Sequence, residues 1–288
     1  MSSSKILKKI KYAMRIIPDR AYIQMYYFAH FKKFCNLKNP KTYNEKLNWL
    51  KLHDKNPIYT RIVDKFEAKE YVKDIIGDQY IIPTLGVWDN FDDIDFDELL
   101  QQFVLKCTHD SEGLVIVKDK DKLDKEMAKN KIESALKQNF FYIGREWPYK
   151  NVKPRIIAEK YMEDHIDGEL RDYKFFCFDG EPKAMFVASD RASDNVKFDY
   201  FDLNFNHLDI KQKYPHAEQP LRKPVTFEKM IELSKVLSKG FPHVRVDFYE
   251  VDGQLYFGEL TFYHFSGFMP FEPNKWDKIF GDWIKLPQ

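Results

Sequence analysis

The sequence has few cysteines and no long apolar segment. Its three cysteines, Cys35, Cys107 and Cys177, lie far apart and form no Cys-x-x-Cys pair, which argues against a disulfide framework and against a structural zinc site. No run of about 18 apolar residues is present, and the N-terminus lacks the uninterrupted apolar core of a signal peptide. We therefore expect a cytoplasmic chain that is neither exported by a signal peptide nor membrane-spanning.

The sequence also lacks a large net charge of either sign. Lys and Arg number 46 against 45 Asp and Glu, so the formal net charge is +1 and no overall field recruits nucleic acid. With 44% apolar and 32% charged residues, the composition is that of a globular protein. A chain of 288 residues can form one large domain or two packed ones. The partner must therefore be inferred from local sites.

Residues 1–40 are biased in charge, with nine Lys or Arg against the single acid Asp19. Apolar residues such as Ile6 and Ile10 interleave with these basic ones. A basic amphipathic helix of this kind can lie on an anionic membrane surface, here the inner face. Alternatively, the segment packs on the main domain with a solvated basic face, which we favour because charge runs are usually solvated.

The spacing of apolar residues predicts a mixture of helices and antiparallel strands. Helices are predicted over residues 42–54, 63–77, 95–102, 119–138 and 226–240. Strands are predicted within residues 79–88, 103–117, 155–162, 170–190, 197–208 and 245–260. Because these elements follow no regular βαβ alternation, the pattern indicates an α+β fold.

Two lysines in the first half of the chain stand at positions suited to phosphate binding. Lys106 ends the apolar strand FVLK and precedes the loop CTHDSEG, whose backbone N–H groups can face phosphate oxygens. Lysines at strand ends are, however, common without a ligand. Lys65 opens a helix directly after Asp64, which is a suitable N-cap. Capping explains Asp64 and by itself leaves Lys65 an ordinary surface lysine.

Two later strands carry charged residues beside apolar ones. In IIAEKYMED, an apolar strand runs into Glu159, so its exposed end can bind the edge of a purine while the carboxylate accepts from an exocyclic amine. The alternative is a strand that simply reaches the surface. In LRDYKFF, Asp172 and Lys174 share a face. These two side chains can meet a ribose hydroxyl and a phosphate, or pair with each other.

The hairpin RVDFYEVDGQLYFGEL places one aspartate and one glutamate on apolar strands. A two-residue turn at Asp252-Gly253 would put Asp247 and Glu259 on opposite faces. A three-residue loop, Val251-Asp252-Gly253, would put them on one face. We predict the three-residue loop, because alternate residues of the first strand are apolar.

In that predicted register, Glu259 opposes Arg245, and both share a face with Asp247 and Thr261. Two carboxylates without a histidine or thiol favour a hard cation such as Mg²⁺. Arg245 would then stabilise a phosphoryl group or a developing oxyanion. The alternative is a simple cross-strand ion pair between Arg245 and Glu259.

Taken in order, these segments resemble the ATP-grasp superfamily: VDK, VLK, AEKYM, the aspartate of RDYKFF, RVD and GELT. The runs YIIPTLGVWDNFDDIDFDELLQQFVLKCTHDSEG and RDYKFFCFDGEP more closely resemble the TupA-like ATP-grasp family of bacterial surface-polysaccharide clusters. The resemblance extends from about residue 40 to 288. It implies an α+β ATP-grasp fold with a helical N-terminal extension (1–60), a part containing the small lid subdomain (61–155) and a larger antiparallel-sheet subdomain (156–288).

The resemblance also implies ATP and Mg²⁺ as cofactors and a role for each matched residue. The nucleotide phosphates would be held by Lys65 and Lys106 under the loop residues Ser111, Glu112 and Gly113. Adenine would be bound by Glu159, Lys160, Tyr161 and Met162, and the ribose by Asp172. Mg²⁺ would be held by Asp247, Glu259 and Thr261, and the catalytic residues would be Arg245 and Lys174. Thr261 stands where many superfamily members have Asn, a departure at the metal.

The implied activity is phosphorylation of a carboxylate by ATP, followed by attack of an amine to form an amide. The expected partners are a free or glycan-linked carboxylate, such as a uronic acid of a surface-polysaccharide precursor, and an amine. A glycosyltransferase is an alternative because Asp-x-Asp triplets occur at 93–95 and 95–97, although we interpret these acids as the N-terminus of a helix. A catalytically inactive nucleotide-binding module is the third possibility.

Overall fold

A computed structural model describes residues 12–111, 113–191, 193 and 195–287 of the chain. The first eleven residues, which carry Ile6, Ile10 and four of the nine basic residues of the segment 1–40, lie outside this range, as does Glu112 of the predicted phosphate loop. None of the described helices is long and apolar enough to cross a membrane.

The described helices and strands follow the predicted mixed order. The α-helices are α1 Asp19–Phe31, α2 Tyr43–His53, α3 Ile58–Val63, α4 Lys65–Ile76, α5 Lys125–Leu136, α6 Phe141–Gly144, α7 Phe227–Leu237 and α8 Lys275–Trp283. The strands are β1 Thr84–Trp88, β2 Phe103–Cys107, β3 Leu114–Val117, β4 Ile156–Lys160, β5 Asp172–Phe178, β6 Glu181–Ser189, β7 Lys197–Phe201, β8 Val244–Val251 and β9 Gln254–Thr261. Six short 3₁₀ helices connect the described elements.

Helix α4 shows how local sequence fixes an element that the site uses. The Asp64 carboxylate accepts from the backbone N–H groups of Phe66 at 2.9 Å and Glu67 at 3.0 Å, so it caps the helix as predicted. Gly77, with φ of 98°, ends the helix in a conformation that favours glycine. The inward face of α4 contains Lys69 between apolar neighbours, and this lysine therefore points into the protein.

The strands form two antiparallel sheets. The small sheet has the order β1-β4-β2-β3, and the large sheet has the order β7-β6-β5-β8-β9. Helix α5 covers the small sheet and shares its core through Ile132, which packs with Phe103 and Ile156. The large sheet has its own core, centred on aromatic residues such as Phe175 and Phe248. The α+β prediction is thus confirmed.

The helix predicted over 95–102 is wrong. Residues 94–102 form no helix or strand, and Ile94, Phe96 and Leu99 pack into the small-sheet core from an irregular segment. Asp95 is exposed and accepts the backbone N–H of Asp97 at 2.9 Å in a local turn. The interpretation of the Asp-x-Asp acids as the N-terminus of a helix fails with the helix.

The turn predicted for the β8–β9 hairpin is also wrong. Val251 pairs with Gln254, and Asp252 and Gly253 have φ of 51° and 79°, so the turn has two residues in left-handed conformations. Glu259 consequently opposes Asp247, and Arg245 opposes Thr261 rather than Glu259.

A bulge nevertheless brings the two carboxylates to one face, as predicted. Phe248 pairs with Phe257, whereas the preceding Asp247 pairs with Glu259, so Gly258 is an extra residue on β9. Phe257 therefore faces the core and Glu259 the opposite side, although a regular strand would put residues two apart on one face. A Cβ at Gly258 would lie 3.1 Å from the Asp247 carbonyl oxygen and from Tyr249 Cε2, which explains the glycine at this position.

Candidate active site

A buried carboxylate with two lysines lies on one face of the small sheet. Glu159, near the end of β4, is flanked by β1 and β2. Its Oε1 contacts Lys69 Nζ from α4, and its Oε2 contacts Lys106 Nζ from β2. We call Lys69, Lys106 and Glu159 the small-sheet cluster. The sequence motifs did not identify Lys69, but its spacing of four residues from Lys65 on one helix face was an available signal.

The two lysines hold Glu159 in its charged form. Burial raises the pKa of Glu159, but the charges of Lys106 and Lys69 outweigh burial and lower it from 4.5 to about 2. Lys69 also donates to the Ile82 carbonyl at 2.9 Å and to Thr84 Oγ1 at 3.2 Å, so this lysine is fully engaged. The side chain of Lys106 is 26% exposed and is the accessible cation of the cluster.

Lys65 holds the loop that follows β2. Its Nζ donates to the Asp110 carbonyl, and its backbone N–H donates to the Thr108 carbonyl at 3.0 Å. Asp110 in turn accepts from the Gly113 N–H at 3.0 Å, and a Cβ at Gly113 would overlap the side chain of Cys107. Lys65 therefore positions the loop. Ser111 at the loop tip is exposed.

The predicted purine-binding segment begins where β4 leaves the small sheet. Lys160 is exposed and is the last residue of β4 paired with β2. Tyr161 and Met162, both partly buried, continue beyond the paired region. The segment thus lies directly after the small-sheet cluster, as the spacing from Glu159 requires. Because the Glu159 side chain is only 5% exposed and both its oxygens contact lysines, the lysines are the principal partners of this carboxylate in place of the predicted adenine amine.

A second charged group lies on one face of the large sheet. Lys174 Nζ lies 3.0 Å from Asp172 Oδ1 and also contacts Asp247 Oδ2, and Asp172 further contacts Arg191. Asp172 and Lys174 thus pair with each other, one of the two predicted outcomes. We call Asp172, Lys174, Arg245 and Asp247 the large-sheet cluster. Arg191, half exposed, was not assigned a role from the sequence.

Arg245 binds Asp247 through two parallel hydrogen bonds. Its Nε and Nη2 donate to Oδ1 and Oδ2 of Asp247, each at 2.7 Å, and Nη2 also donates to Thr261 Oγ1 at 3.0 Å. Burial raises the pKa of Asp247, but Arg245 and then Lys174 outweigh burial and lower it. Asp247 is therefore a charged acceptor, and its orientation is fixed by a rigid planar partner.

His264 supports Arg245 from behind. Arg245 Nη1 donates to His264 Nδ1 at 2.8 Å, and His264 Nε2 lies 3.1 Å from Gln212 Oε1. Since an arginine only donates, Nδ1 must accept and Nε2 must carry the proton toward Gln212. Burial and the Arg245 charge lower the pKa of His264 well below its ordinary value, in agreement with a neutral ring. No sequence motif had assigned His264 a role.

Glu259 completes a set of oxygen donors suited to a divalent cation. Its partly exposed carboxylate forms no hydrogen bond or ion pair with any part of the chain that the structure describes. Asp247 faces it across the hairpin, and Thr261 follows on the same strand. Carboxylate and hydroxyl oxygens suit Mg²⁺. Because Asp247 and Thr261 are shared with Arg245, Glu259 is the carboxylate available to a cation without losing a partner.

Helix α4 brings the small-sheet and large-sheet clusters close together, because it carries Lys69, contacts β9 and contributes Val72 to the large-sheet core. Burial raises the pKa of Tyr249, the Arg191 charge opposes this rise, and the carboxylates of Asp247, Glu259 and Glu159 add to it. Burial raises the pKa of Tyr149 in the same way, with Glu259 the largest charge acting on it. Carboxylates of both sheets thus act on the Tyr249 ring, in agreement with two clusters on either side of one gap.

A third acid, not expected from the sequence, adjoins this gap. Glu146 is buried and accepts from Ser266 Oγ at 2.5 Å. Burial raises its pKa, and the nearby Glu259 contributes in the same direction. Ser266 and the preceding Phe265 have φ of 53° and 47°, left-handed conformations that non-glycine residues rarely adopt. This backbone conformation holds the serine in place.

One protein-family model and several solved structures are similar to the chain. A family model described as TupA-like ATPgrasp matches residues 45–285. No curated protein sequence matches the chain. Solved structures with a similar arrangement include the D-alanine--D-alanine ligase of Bacillus anthracis complexed with ATP, with 19% identity and a TM-score of 0.42 over 69% of this chain and 53% of that chain.

A second similar structure is the N5-carboxyaminoimidazole synthase of Aspergillus clavatus in complex with ADP and 5-aminoimidazole ribonucleotide. It has 14% identity and a TM-score of 0.41 over 72% of this chain and 46% of that chain. The chain spans about half the length of these solved proteins.

Proposed function

This chain belongs to the TupA-like ATP-grasp family, within the ATP-grasp ligase superfamily, and we propose that it joins a carboxylate to an amine with ATP and Mg²⁺. The observation that carries this proposal is the packing of α4 between the two clusters: its Lys69 contacts Glu159 of the small sheet, and the helix itself contacts β9, which carries Glu259. Phosphoryl transfer depends on positioning and charge neutralisation more than on covalent participation of the protein. Clustered lysines and arginines beside paired carboxylates supply both requirements.

The nucleotide would bind between the two sheets. Adenine would contact the backbone of residues 160–162, where β4 leaves its partner strand. Lys106 is the accessible lysine of its cluster and would contact the phosphates, while Glu159 holds it in place. On the large sheet, the half-exposed Arg191 suits phosphate contact, with Asp172 orienting it rather than binding the ribose alone.

Mg²⁺ would be held by Glu259 and Asp247, with Thr261 as a neutral oxygen beside them. When bound, the ion neutralises charge on the transferred phosphoryl group and orients it. Arg245 keeps Asp247 charged and correctly oriented through its two hydrogen bonds. Lys174, which now contacts Asp247, provides a further positive charge for the transferred group.

In the proposed reaction, a carboxylate oxygen of the substrate attacks the γ-phosphorus of ATP, and ADP leaves with the electrons of the broken P–O bond. The amine nitrogen then attacks the acyl carbon, inorganic phosphate leaves with the original carboxylate oxygen, and the nitrogen loses a proton. Arg245 would stabilise the acyl phosphate through its positive charge, because its paired donors are already bound to Asp247. On the resemblance to its family, we propose a uronic acid or similar carboxylate of a capsular or surface-polysaccharide precursor as substrate.

A product assay tests the reaction class. The full chain, without a histidine tag, is incubated with ATP, Mg²⁺ and panels of ¹⁸O-labelled uronic acids and amines. We expect equal release of ADP and phosphate with each amide, and ¹⁸O in the phosphate, because the carboxylate oxygen leaves with it. Release of AMP and pyrophosphate, or of UDP from sugar nucleotides, would refute the proposal. Thermal stabilisation by ATP without turnover across the panels would instead support an inactive nucleotide-binding module.

Paired substitutions on the hairpin test the metal-binding role. Asp247→Asn and Glu259→Gln should each lower turnover by about 100-fold or more, because charge stabilisation of the transition state depends on them. Asp252→Asn makes the same chemical change in the same hairpin, at a turn position where asparagine is well tolerated, and should retain activity. Near-normal turnover of Glu259→Gln would contradict the role of that carboxylate.

A further inference from the structure

We propose that Asp199, His207 and His216 bind Zn²⁺ at the outer edge of the large sheet, a site independent of the proposed ligase function. Asp199 lies on the edge strand β7. His207 ends the loop that follows β7 and pairs back with Phe201. His216 follows Pro215, whose carbonyl accepts the backbone N–H of Phe198. Three separate segments thus bring one ligand each to the same point.

The separations of the three ligand atoms match a tetrahedral ion. His207 Nε2 lies 3.2 Å from Asp199 Oδ1 and 3.1 Å from His216 Nδ1. Asp199 Oδ1 and His216 Nδ1 are 3.8 Å apart. Zinc bonds to nitrogen and oxygen of about 2.0–2.2 Å give tetrahedral ligand–ligand distances of about 3.3–3.6 Å. The observed triangle therefore has the size of one face of a zinc tetrahedron, and water can occupy the fourth position.

The charges at this point also favour a metal. The side chain of Asp199 is only 6% exposed, and within the described part of the chain its ion-pair partners are these two histidines alone. A buried carboxylate is normally paired with a cation or bound to a metal. When His207 Nε2 and His216 Nδ1 hydrogen-bond to each other, one nitrogen carries the proton and only the other offers its lone pair. A metal ion instead binds the lone pair of each nitrogen.

The ligands are held in place without the ion. Asp199 Oδ2 accepts the Ala217 N–H at 3.0 Å, which leaves Oδ1 directed at the histidines. Asp202 accepts the backbone N–H groups of Asn204 and Asn206, both at 2.8 Å, and so fixes the loop that presents His207. Bound zinc would fasten this loop and the segment around His216 to the edge strand. Two imidazoles with one carboxylate select Zn²⁺ over Mg²⁺.

Metal binding to the untagged full chain tests the proposal. After removal of metal with a chelator and dialysis, titration with Zn²⁺ should give about one ion per chain and raise the melting temperature. Co²⁺ at the same site should give the visible absorption of tetrahedral coordination. Both measurements are made in excess Mg²⁺, so that oxygen sites do not contribute. Absence of Zn²⁺ binding at micromolar concentrations would overturn the proposal.

Variants assign the ion to this cluster. His207→Gln and His216→Gln should each weaken Zn²⁺ binding by at least about tenfold, since even outer-shell partners of metal ligands have effects of this size. His165→Gln changes a histidine that is 73% exposed elsewhere on the surface and should bind Zn²⁺ as the wild type does. Glu259→Gln should also retain binding. Undiminished binding by the doubly substituted His207→Gln, His216→Gln chain would overturn the assignment.

Discussion

Replacing Glu159 with glutamine should destabilise the fold in a way that depends on pH. The substitution keeps the size of the side chain and removes its charge, so Lys69 and Lys106 lose their common partner. The two lysines belong to different elements, Lys69 to α4 and Lys106 to β2. Glu159 joins both of these elements to β4. The loss therefore affects the junction between helix and small sheet as well as one ion pair.

The magnitude follows from the pKa of Glu159. A decrease from 4.5 to about 2 corresponds to about 3 kcal/mol of stability at neutral pH. Because the folded pKa lies below the unfolded value, this contribution is complete above pH 4.5 and is lost as the pH falls toward 2. About half of it should be gone by about pH 3. The Glu159→Gln variant lacks this contribution at every pH. The difference in the free energy of unfolding between the variant and the wild type should therefore shrink as the pH falls from 4.5 toward 2.

Urea denaturation of both chains at pH 7, 6, 5, 4 and 3 measures the deficit directly. A constant difference in the free energy of unfolding from pH 7 to 5, followed by convergence, would support the argument. Glu163→Gln provides a matched control, since Glu163 lies four residues further along the same segment and is exposed. Its substitution should change stability by less than about 0.5 kcal/mol. A deficit for Glu159→Gln below about 1 kcal/mol at pH 7, or one that is independent of pH, would refute the reasoning.

Two further substitutions act on the large-sheet side of the gap. Gly258→Ala should lower the free energy of unfolding by about 1–3 kcal/mol and reduce turnover, because its Cβ would lie 3.1 Å from the Asp247 carbonyl oxygen; urea denaturation and steady-state kinetics measure both, and unchanged values would contradict the bulge argument. Arg245→Lys keeps the charge but loses the paired hydrogen bonds to Asp247, so turnover should fall by at least about tenfold; wild-type turnover would show that charge alone suffices.

Several parts of the fold that depend on neighbouring residues were predicted from the sequence. Helices α2 and α4 begin and end where their capping residues indicate, and Asp64 caps α4 through its side chain. The alternation in LRDYKFF placed Asp172 and Lys174 on one face, and their ion pair confirms it. Such features follow from local geometry alone, because a cap or a strand face is determined within a few residues.

The features that were missed depend on contacts between distant segments. Lys69 contacts Glu159 from 90 residues away, and Arg245 meets His264, which opens the short 3₁₀ helix after β9. Residues 95–102 were wrongly predicted as a helix; they form an irregular segment with a local turn at Asp95, and Phe96 and Leu99 pack in the small-sheet core. Local patterns identify which residues are charged or apolar, and the tertiary fold decides which of them meet.

The β8–β9 hairpin shows why a correct site can accompany a wrong register. One extra residue in a hairpin reverses the face to which the following side chains point, wherever that residue is inserted. A single extra residue is therefore enough to put Asp247 and Glu259 on the same face. An extra residue in the turn and an extra residue at Gly258 therefore give the same face but different partners. In the observed hairpin the extra residue lies beside Asp247, so the bulge that orients Glu259 also contacts the backbone that carries its partner carboxylate. The position of the bulge, and not only its existence, thus couples the geometry of the two acids.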